Sequence, residues 1–459
     1  MYHLINGSVL DIKSGQFEQA NLVIDQGKII AINQNRDMHP DTSEKIDVTG
    51  KYIIPGLMDM HVHIKHKFAH LFTASGVTTV RNTAGNVTEL VTLRNASNDA
   101  ATPRVISADR LIDGPPGLWG DTSPWNFNVT TVEEARNEVK RQVAAGADLI
   151  KVYGWLSEEN MKAVVDEAKI HNLEVSCDLI YSTNVNAVDA ANMGIKWNEH
   201  ASGILQLLFP KWSMQAEDAI WNEIDWEKDY VRELKPICQK LINHGVIICP
   251  TLTLYDQLHR TPQVWKPAQG IPEILLNPRN LVEQWNRMES YKEALNKQGK
   301  AIHIIKQVVK VYHDLGGEIV AGTDTPAGVW TLPGLALHRE LQLLVESGLS
   351  ELEALQCATT QSATSLGLEK LGQIKEGFIA DLLILNDNPL HGIQNTLSIN
   401  RIIKGGTVYE QQEILVLVPT DEEVQTLMEQ FINEFQDGKF TEILGFKQHL
   451  HNQKDTSTQ

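Results

Sequence analysis

"PGLMDMHVHI", residues 55–64, sets Asp59, His61 and His63 at alternate positions in an otherwise apolar run. Successive side chains of a strand face opposite sides, so residues two apart share a face. His61 and His63 can therefore grip one object together. Working outward, seven more short β-rich runs follow: VTTVRN (77–82), RVISAD (104–109), LIKVY (149–153), LEVSCDLI (173–180), IKWNEH (195–200), VIICPTL (246–252) and EIVAGTD (318–324). Between them lie helical stretches such as TVEEARNEVKRQVAAG and SEENMKAVVDEAKIHN. These open with Thr or Ser and close with Gly or Asn, as capped helices do. Eight strand–helix units in series predict an α/β fold, a (β/α)8 TIM barrel over residues 55–369. The chemistry of such a barrel collects at the C-terminal ends of its strands.

The polar residues that strand propensity does not explain fall at those ends. They are His61 and His63 on the first run, Lys151 on the fourth, Asp178 on the fifth, His200 on the sixth and Asp324 on the eighth. A lone His or Lys in a strand is usually a satisfied core or surface residue. Six such residues on one rim are different, because buried charges need partners or a metal. The constellation predicts a metal.

The formal charge of −18 speaks against nucleic acid or an anionic membrane surface as partner. Hydrophobic content of 42% and charged content of 21% fit a globular protein. No apolar run approaches the roughly 18 residues of a membrane span. The start, MYHLINGSVLDIKSGQ, lacks the charged and apolar regions of a signal peptide. Cys177, Cys238, Cys249 and Cys357 are scattered, without CxxC spacing, and read as reduced, buried thiols rather than ligands. The expected location is cytoplasmic.

Residues 1–54 alternate apolar residues with Gly- and Asp-containing turns, and the pattern returns over 370–415. Together they predict a small composite β-sandwich domain made from both chain ends. Within 416–459, TDEEVQTLMEQFINEFQDGKF reads as a helix that packs on its own barrel or on a neighbouring subunit. HNQKDTSTQ reads as a disordered tail.

The chain resembles the amidohydrolase superfamily, in its imidazolonepropionase- and prolidase-like branch. The stretches that carry the resemblance are IIPGLMDMHVH, GVTTVRNTAG, GADLIKVYG, NEHASG, AGTDTPAG, LALHRELQLLVESGLSELEALQCATTQSATSLGL and GQIKEGFIADLLILNDNPL, in family order over roughly residues 1–415. The resemblance implies one or two divalent ions held by His61, His63, Lys151, His200 and Asp324. Zinc is the first expectation, with manganese, iron or cobalt as alternatives. Lys151 would enter as a carbamate formed with CO2, since a protonated amine beside two cations is disfavoured. The family's strand-five histidine is absent, and Asp178 stands where it belongs. That leaves Asp178 as a carboxylate ligand, as the mark of a one-metal site, or as the mark of a lost activity.

The implied activity is hydrolysis of an amide-type C–N bond in a small molecule by hydroxide held on the metal. Asp324 would act as general base and then acid, and Tyr153 would donate to the developing oxyanion. Dipeptides, cyclic amides, carbamates and aryl amides or ureas are all candidate substrates. A one-metal deaminase-like enzyme and an inactive scaffold are the alternatives. Homo-oligomers are common among relatives.

Asp59 is read either as the anchor of an imidazole or as a strand-end turn partner. His66 and His70 are read as solvated loop residues and His338 as structural. Trp119, Trp125, Trp155, Trp212, Trp265 and Trp330 follow barrel strands, where they either pack loops or line a pocket for bulky groups. The long excursions 205–235 and 253–300 are the expected seat of specificity and of a lid.

Overall fold

The computed structural model describes residues 1–33, 44–267, 270–278, 281–327 and 329–435, so the tail HNQKDTSTQ lies outside the described residues. Its centre is a succession of parallel strands: Leu57–Val62, Val77–Asn82, Arg104–Ser107, Ile150–Tyr153, Val175–Asp178, Trp197–Glu199, Ile247–Cys249 and Glu318–Ile319. The first three form one sheet, and the other five belong to a second. A parallel bridge between Ala108 and Leu149 links the sheets on one side, and a bridge between Val62 and Thr325 links them on the other. Along that second seam, Met60 N–H donates to Ala321 O at 2.8 Å and His63 N–H to Thr325 O at 2.9 Å. The last strand thus runs beside the first in a TIM-barrel-like α/β arrangement.

Gly322 makes that approach possible, because a Cβ there would sit 2.8 Å from the His61 backbone nitrogen and 2.4 Å from Cys249 Sγ.

The helices between the strands are closed by their own sequence. Thr131 and Ser157 accept from the backbone N–H groups of Glu134 and Asn160, at the starts of Val132–Ala145 and Glu158–Ile170. Gly146, with φ +87°, supplies the left-handed stop of the first. Helices Ile302–Asp314 and Leu335–Glu346 bury apolar faces in the main hydrophobic core.

Strands from both ends of the chain share one eight-stranded sheet. Tyr52–Pro55 pairs antiparallel with Leu382–Leu385 on one side and parallel with Tyr2–Asp11 on the other. Leu4, Leu22, Ile53, Leu382 and Ile403 form its apolar cluster.

Several strand expectations ran too long: LEVSCDLI and EIVAGTD shrink to Val175–Asp178 and Glu318–Ile319, and three others end for a backbone reason. VIICPTL stops at Cys249, because Thr251 turns to φ +46° and Leu252 starts a helix. IKWNEH stops at Glu199, with His200 at φ +63°. RVISAD gives way after Ser107 and resumes as Leu111–Asp113, which pairs in the second sheet.

The helix expected after residue 416 spans Asp421–Glu434 and packs on the chain's own parallel array. Its Phe431 ring lies 6.1 Å from that of Trp125. No helix among the described residues is long and apolar enough to cross a membrane. All four cysteines are free and buried.

Candidate functional site

Strand geometry brings the two histidines of HVH to one place, as period two requires. His61 Nε2 lies 3.3 Å and His63 Nε2 3.0 Å from Asp324 Oδ1. The ligand atoms of these three residues all fall within 4.8 Å of one another. His200 and Asp178 form a second group, with Nε2 3.3 Å from Oδ2. The His61 and His200 ring centroids are 4.6 Å apart, so the two groups adjoin.

The protons on these rings follow from their partners. His63 Nδ1 is 3.2 Å from the Ala84 carbonyl, which only accepts. His61 Nδ1 is 2.7 Å from Glu199 Oε2, a carboxylate that Arg81 also holds at 2.8 Å through Oε1. His200 Nδ1 is 2.6 Å from Thr251 Oγ1, whose single proton is directed at the Pro250 carbonyl at 2.8 Å. In every case Nδ1 carries the proton and Nε2 keeps a lone pair. Three imidazole lone pairs therefore point toward two carboxylates, a set of donors without an acid among them. A divalent cation matches it.

The two carboxylates are held in their charged form. Burial opposes ionisation of Asp324, yet the imidazoles of His61 and His63 beside it hold its carboxyl well below the usual range. Burial likewise opposes the charge of Asp178, and His200 and Lys151 outweigh it and lower the carboxyl. Burial depresses His61, whereas Asp178 more than offsets burial at His200 and raises it. Glu199 is driven well down by Arg81, His61 and Lys151 despite complete burial.

Lys151 is fully buried, and its Nζ has no hydrogen-bond partner among the described residues. A bare ammonium in that position is costly.

His200, Thr251 and Asp324 all have positive φ, at 63°, 46° and 61°. Backbone strain of this kind gathers at functional sites.

Asp59 does not hold an imidazole. Its carboxylate accepts from Thr323 Oγ1 at 2.7 Å, Thr323 N–H at 3.1 Å and His61 N–H at 3.3 Å, and burial raises it to about 8. It ties the first strand to the last, in keeping with the turn-partner reading. His66 Nε2 donates to the Glu89 carbonyl, 2.9 Å away, and the residue is half-buried rather than solvated. His70 is also half-buried. His338 bonds Thr396 Oγ1 and the Ser75 carbonyl, both at 2.8 Å, as a structural residue would. His171 caps its helix away from this cluster, 3.3 Å from Glu167.

Sequence reasoning missed Glu199, Arg81 and Thr251. A signal existed for the first two: opposite charges inside the strand runs VTTVRN and IKWNEH, each fully buried here.

Two hollows meet at the cluster. The larger, about 570 Å³, is bounded by Asp178, His200 and Asp324 at its base and by Tyr181, Tyr255 and Trp285 among its walls. The smaller, about 380 Å³, runs past Leu111, Trp125 and Asn126. His63, Trp119 and Tyr153 line both. Tyr153 is buried, and burial together with Asp178 and Asp324 raises its hydroxyl well above the ordinary tyrosine value.

The tryptophans divide. Trp119 and Trp125 border the hollows, whereas Trp212, Trp221 and Trp226 pack on one another with centroids 5.0–6.1 Å apart. Trp330 is buried.

A parallel α/β array of this kind has relatives among known proteins. Residues 52–409 match the model of the amidohydrolase family, and the chain belongs to that family. Among curated proteins it is 26% identical to ochratoxinase from Aspergillus niger over 329 residues, 67% of this chain and 55% of that protein. It is 21% identical to adenine deaminase from Petrotoga mobilis over 396 residues, 83% of this chain and 54% of the other. The chain thus spans about half the length of the curated relatives it matches. Among solved structures, a bottromycin amidohydrolase is similar with TM-score 0.67 and 17% identity, covering 93% of this chain and 90% of its own. A Xaa-Pro dipeptidase with bound methionine gives 0.65 and 22%, covering 89% and 99%. A. niger ochratoxinase gives 0.61 and 20%, covering 89% and 96%. These likenesses show the fold.

Proposed function

We propose that this chain is a metal-dependent hydrolase of an amide-type C–N bond, working at the convergence of His61, His63, Asp178, His200 and Asp324. The arrangement that carries the reading is that of three imidazoles, two of them fully buried, which set Nδ1 against an acceptor and turn Nε2 toward two carboxylates. His61, His63 and Asp324 would hold one ion, and His200 with Asp178 a second. The partnerless Lys151 amine fits the carbamate form, a bridging anion in place of a buried cation. Oxygen and nitrogen donors without thiolate suit zinc, and the carboxylate at 178 also suits manganese. The two linked sheets are taken as one closed barrel, with residues 1–54 and 370–415 as its composite β-domain.

When bound, such an ion lowers the pKa of water and polarises a carbonyl. The rest is the chain's work. Asp324, held ionised, takes a proton from the attacking water and passes it to the departing nitrogen. Tyr153 keeps its proton near neutral pH and faces the base of both hollows, where it donates to the carbonyl oxygen as charge grows. Glu199 and Thr251 hold the imidazoles in register, so no proton is lost on reorientation.

A single-ion enzyme is the second reading. It is favoured by the tight His61–His63–Asp324 group, whose ligand atoms fall within 4.8 Å of one another without Asp178 or His200. Elemental analysis of the purified protein, with and without bicarbonate, distinguishes the two. About two equivalents that fall in Lys151→Ala support the bimetallic hydrolase; one equivalent insensitive to bicarbonate and to Lys151 supports the second reading; none removes both. Asp178→His should raise metal content or change the ion retained, and unchanged occupancy and activity would remove Asp178 from the ligand set.

A further inference from the structure

The two hollows flanking His63 and Tyr153 differ from an open polar cleft in what they lack. Beyond the histidines and carboxylates at the base, the larger one has polar atoms only on uncharged side chains, Gln284, Gln298 and the rims of its Tyr and Trp rings, and among the described residues no lysine or arginine borders it. Its walls are rings and branched chains from the excursion after the seventh strand, including Tyr255, Leu258, Leu281, Trp285 and Met288. The smaller hollow does contain a cation, Lys65, but that ammonium is already committed. It lies 2.9 Å from both Glu89 oxygens and 5.2 Å above the Trp125 ring, while Trp125 Nε1 donates to the same carboxylate at 2.6 Å.

An anionic group entering the larger hollow away from its base would shed its hydration and meet no side-chain cation among the described residues. An apolar group would instead exchange water for aromatic and aliphatic contact.

Resting on the hydrolase reading above, we propose that the substrate is an uncharged amide, carbamate or urea that straddles the divide formed by His63, Trp119 and Tyr153. Its bulky apolar or aromatic half occupies the larger hollow, and a smaller, largely apolar half occupies the other. The scissile bond lies between, beside Asp324. Hydrolysis breaks the C–N bond, adds the water's hydroxyl to the acyl carbon and returns its proton to nitrogen, so both products leave in opposite directions. A free carboxylate beside the scissile nitrogen, as a dipeptide has, is selected against.

The test uses the metal-loaded full chain and a matched pair, N-(2-phenylethyl)benzamide and N-benzoylphenylalanine, which differ by one carboxylate. Corresponding carbamate and urea pairs extend the series. Product release gives kcat/KM, and calorimetry gives the dissociation constant whether or not cleavage occurs. The neutral member should be favoured at least about 100-fold in kcat/KM and bind more tightly.

Met288→Lys places a cation in the larger hollow and should narrow that preference at least about tenfold, while Met288→Leu should leave it in place. Equal or reversed preference in the wild type overturns the inference. So does a preference for the carboxylate that disappears in Arg279→Gln, since Arg279 lies outside the described residues and precedes Leu281. Tight binding of the neutral member without cleavage keeps the inference and overturns the hydrolase reading. No binding of any neutral member at millimolar concentration overturns the inference.

Discussion

His338 and the trio His61, His63 and His200 are all histidines in this protein's interior or on its rim, yet they are wired differently. At His338 both ring nitrogens are satisfied, one by Thr396 and the other by the Ser75 carbonyl, and burial lowers its pKa to about 4. Each histidine of the trio satisfies only Nδ1, and its other nitrogen faces a carboxylate at 3.0–3.3 Å. A complete set of hydrogen bonds marks a histidine that holds the fold together. A half-complete set, repeated three times around one point, is the pattern on which the proposed metal reading rests.

The sharpest way to break this contrast is Asp324→Asn. The fold and most of the metal should survive, but turnover should fall by about 10³, within the range for loss of a general base. Steady-state kinetics beside metal analysis decides it, and retained turnover would remove Asp324 as the proton carrier.

The next effect belongs to His338 alone. Its folded pKa lies below the ordinary 6.5, so the unfolded chain takes up the proton first as the solution is acidified. The stability it contributes is complete above about pH 6.5 and is lost on the way down to about 4. The loss amounts to about 3 kcal/mol, at 1.36 kcal/mol per pKa unit. Urea titrations of wild type and His338→Gln across that window should diverge in slope. Parallel curves would mean that His338 is not held neutral.

Glu199→Gln should weaken metal affinity by about 10- to 100-fold, the usual cost of disturbing a ligand's hydrogen-bond partner. Competition with a chelating dye measures it, and melting curves of the metal-free protein separate this from the loss of the Arg81 ion pair. Unaltered affinity would make Glu199 a purely structural anion. Thr251→Val is the mildest probe, keeping shape and removing one acceptor. It should cost about tenfold in affinity, read by the same competition, and no change would free the His200 ring from its assigned tautomer.

How far the sequence could be read depends on the kind of information each residue carries. The parallel strands were visible because short β-rich runs and capped helices alternate in order. HVH at 61–63 was visible because period two is local. Lys151, Asp178, His200 and Asp324 stood out as charges at strand ends, and the chain does bring them to the same rim. The partners of those residues were hidden. Glu199 meets His61 across 138 positions and Arg81 across 118, and the acceptor for His63 is a backbone carbonyl that no residue type announces. Asp59 was ambiguous for the same reason, since its partner Thr323 is 264 residues away. Strand ends were misjudged where φ turns positive at Thr251 and His200, because β-branched and apolar neighbours there still look like strand. Trp285 went unmentioned because the excursion around it carries no periodic signal, although it builds a wall of the larger hollow.

The last helix, Asp421–Glu434, leans Phe431 on Trp125, which borders the smaller hollow. It lies beyond the stretch 52–409 that matches the family. On the proposed reading, selectivity at that end of the cleft is modular: grafting a different terminal helix would reshape the chamber without replacing a residue of the histidine–carboxylate cluster. It also argues for placing a purification handle at the start of the chain.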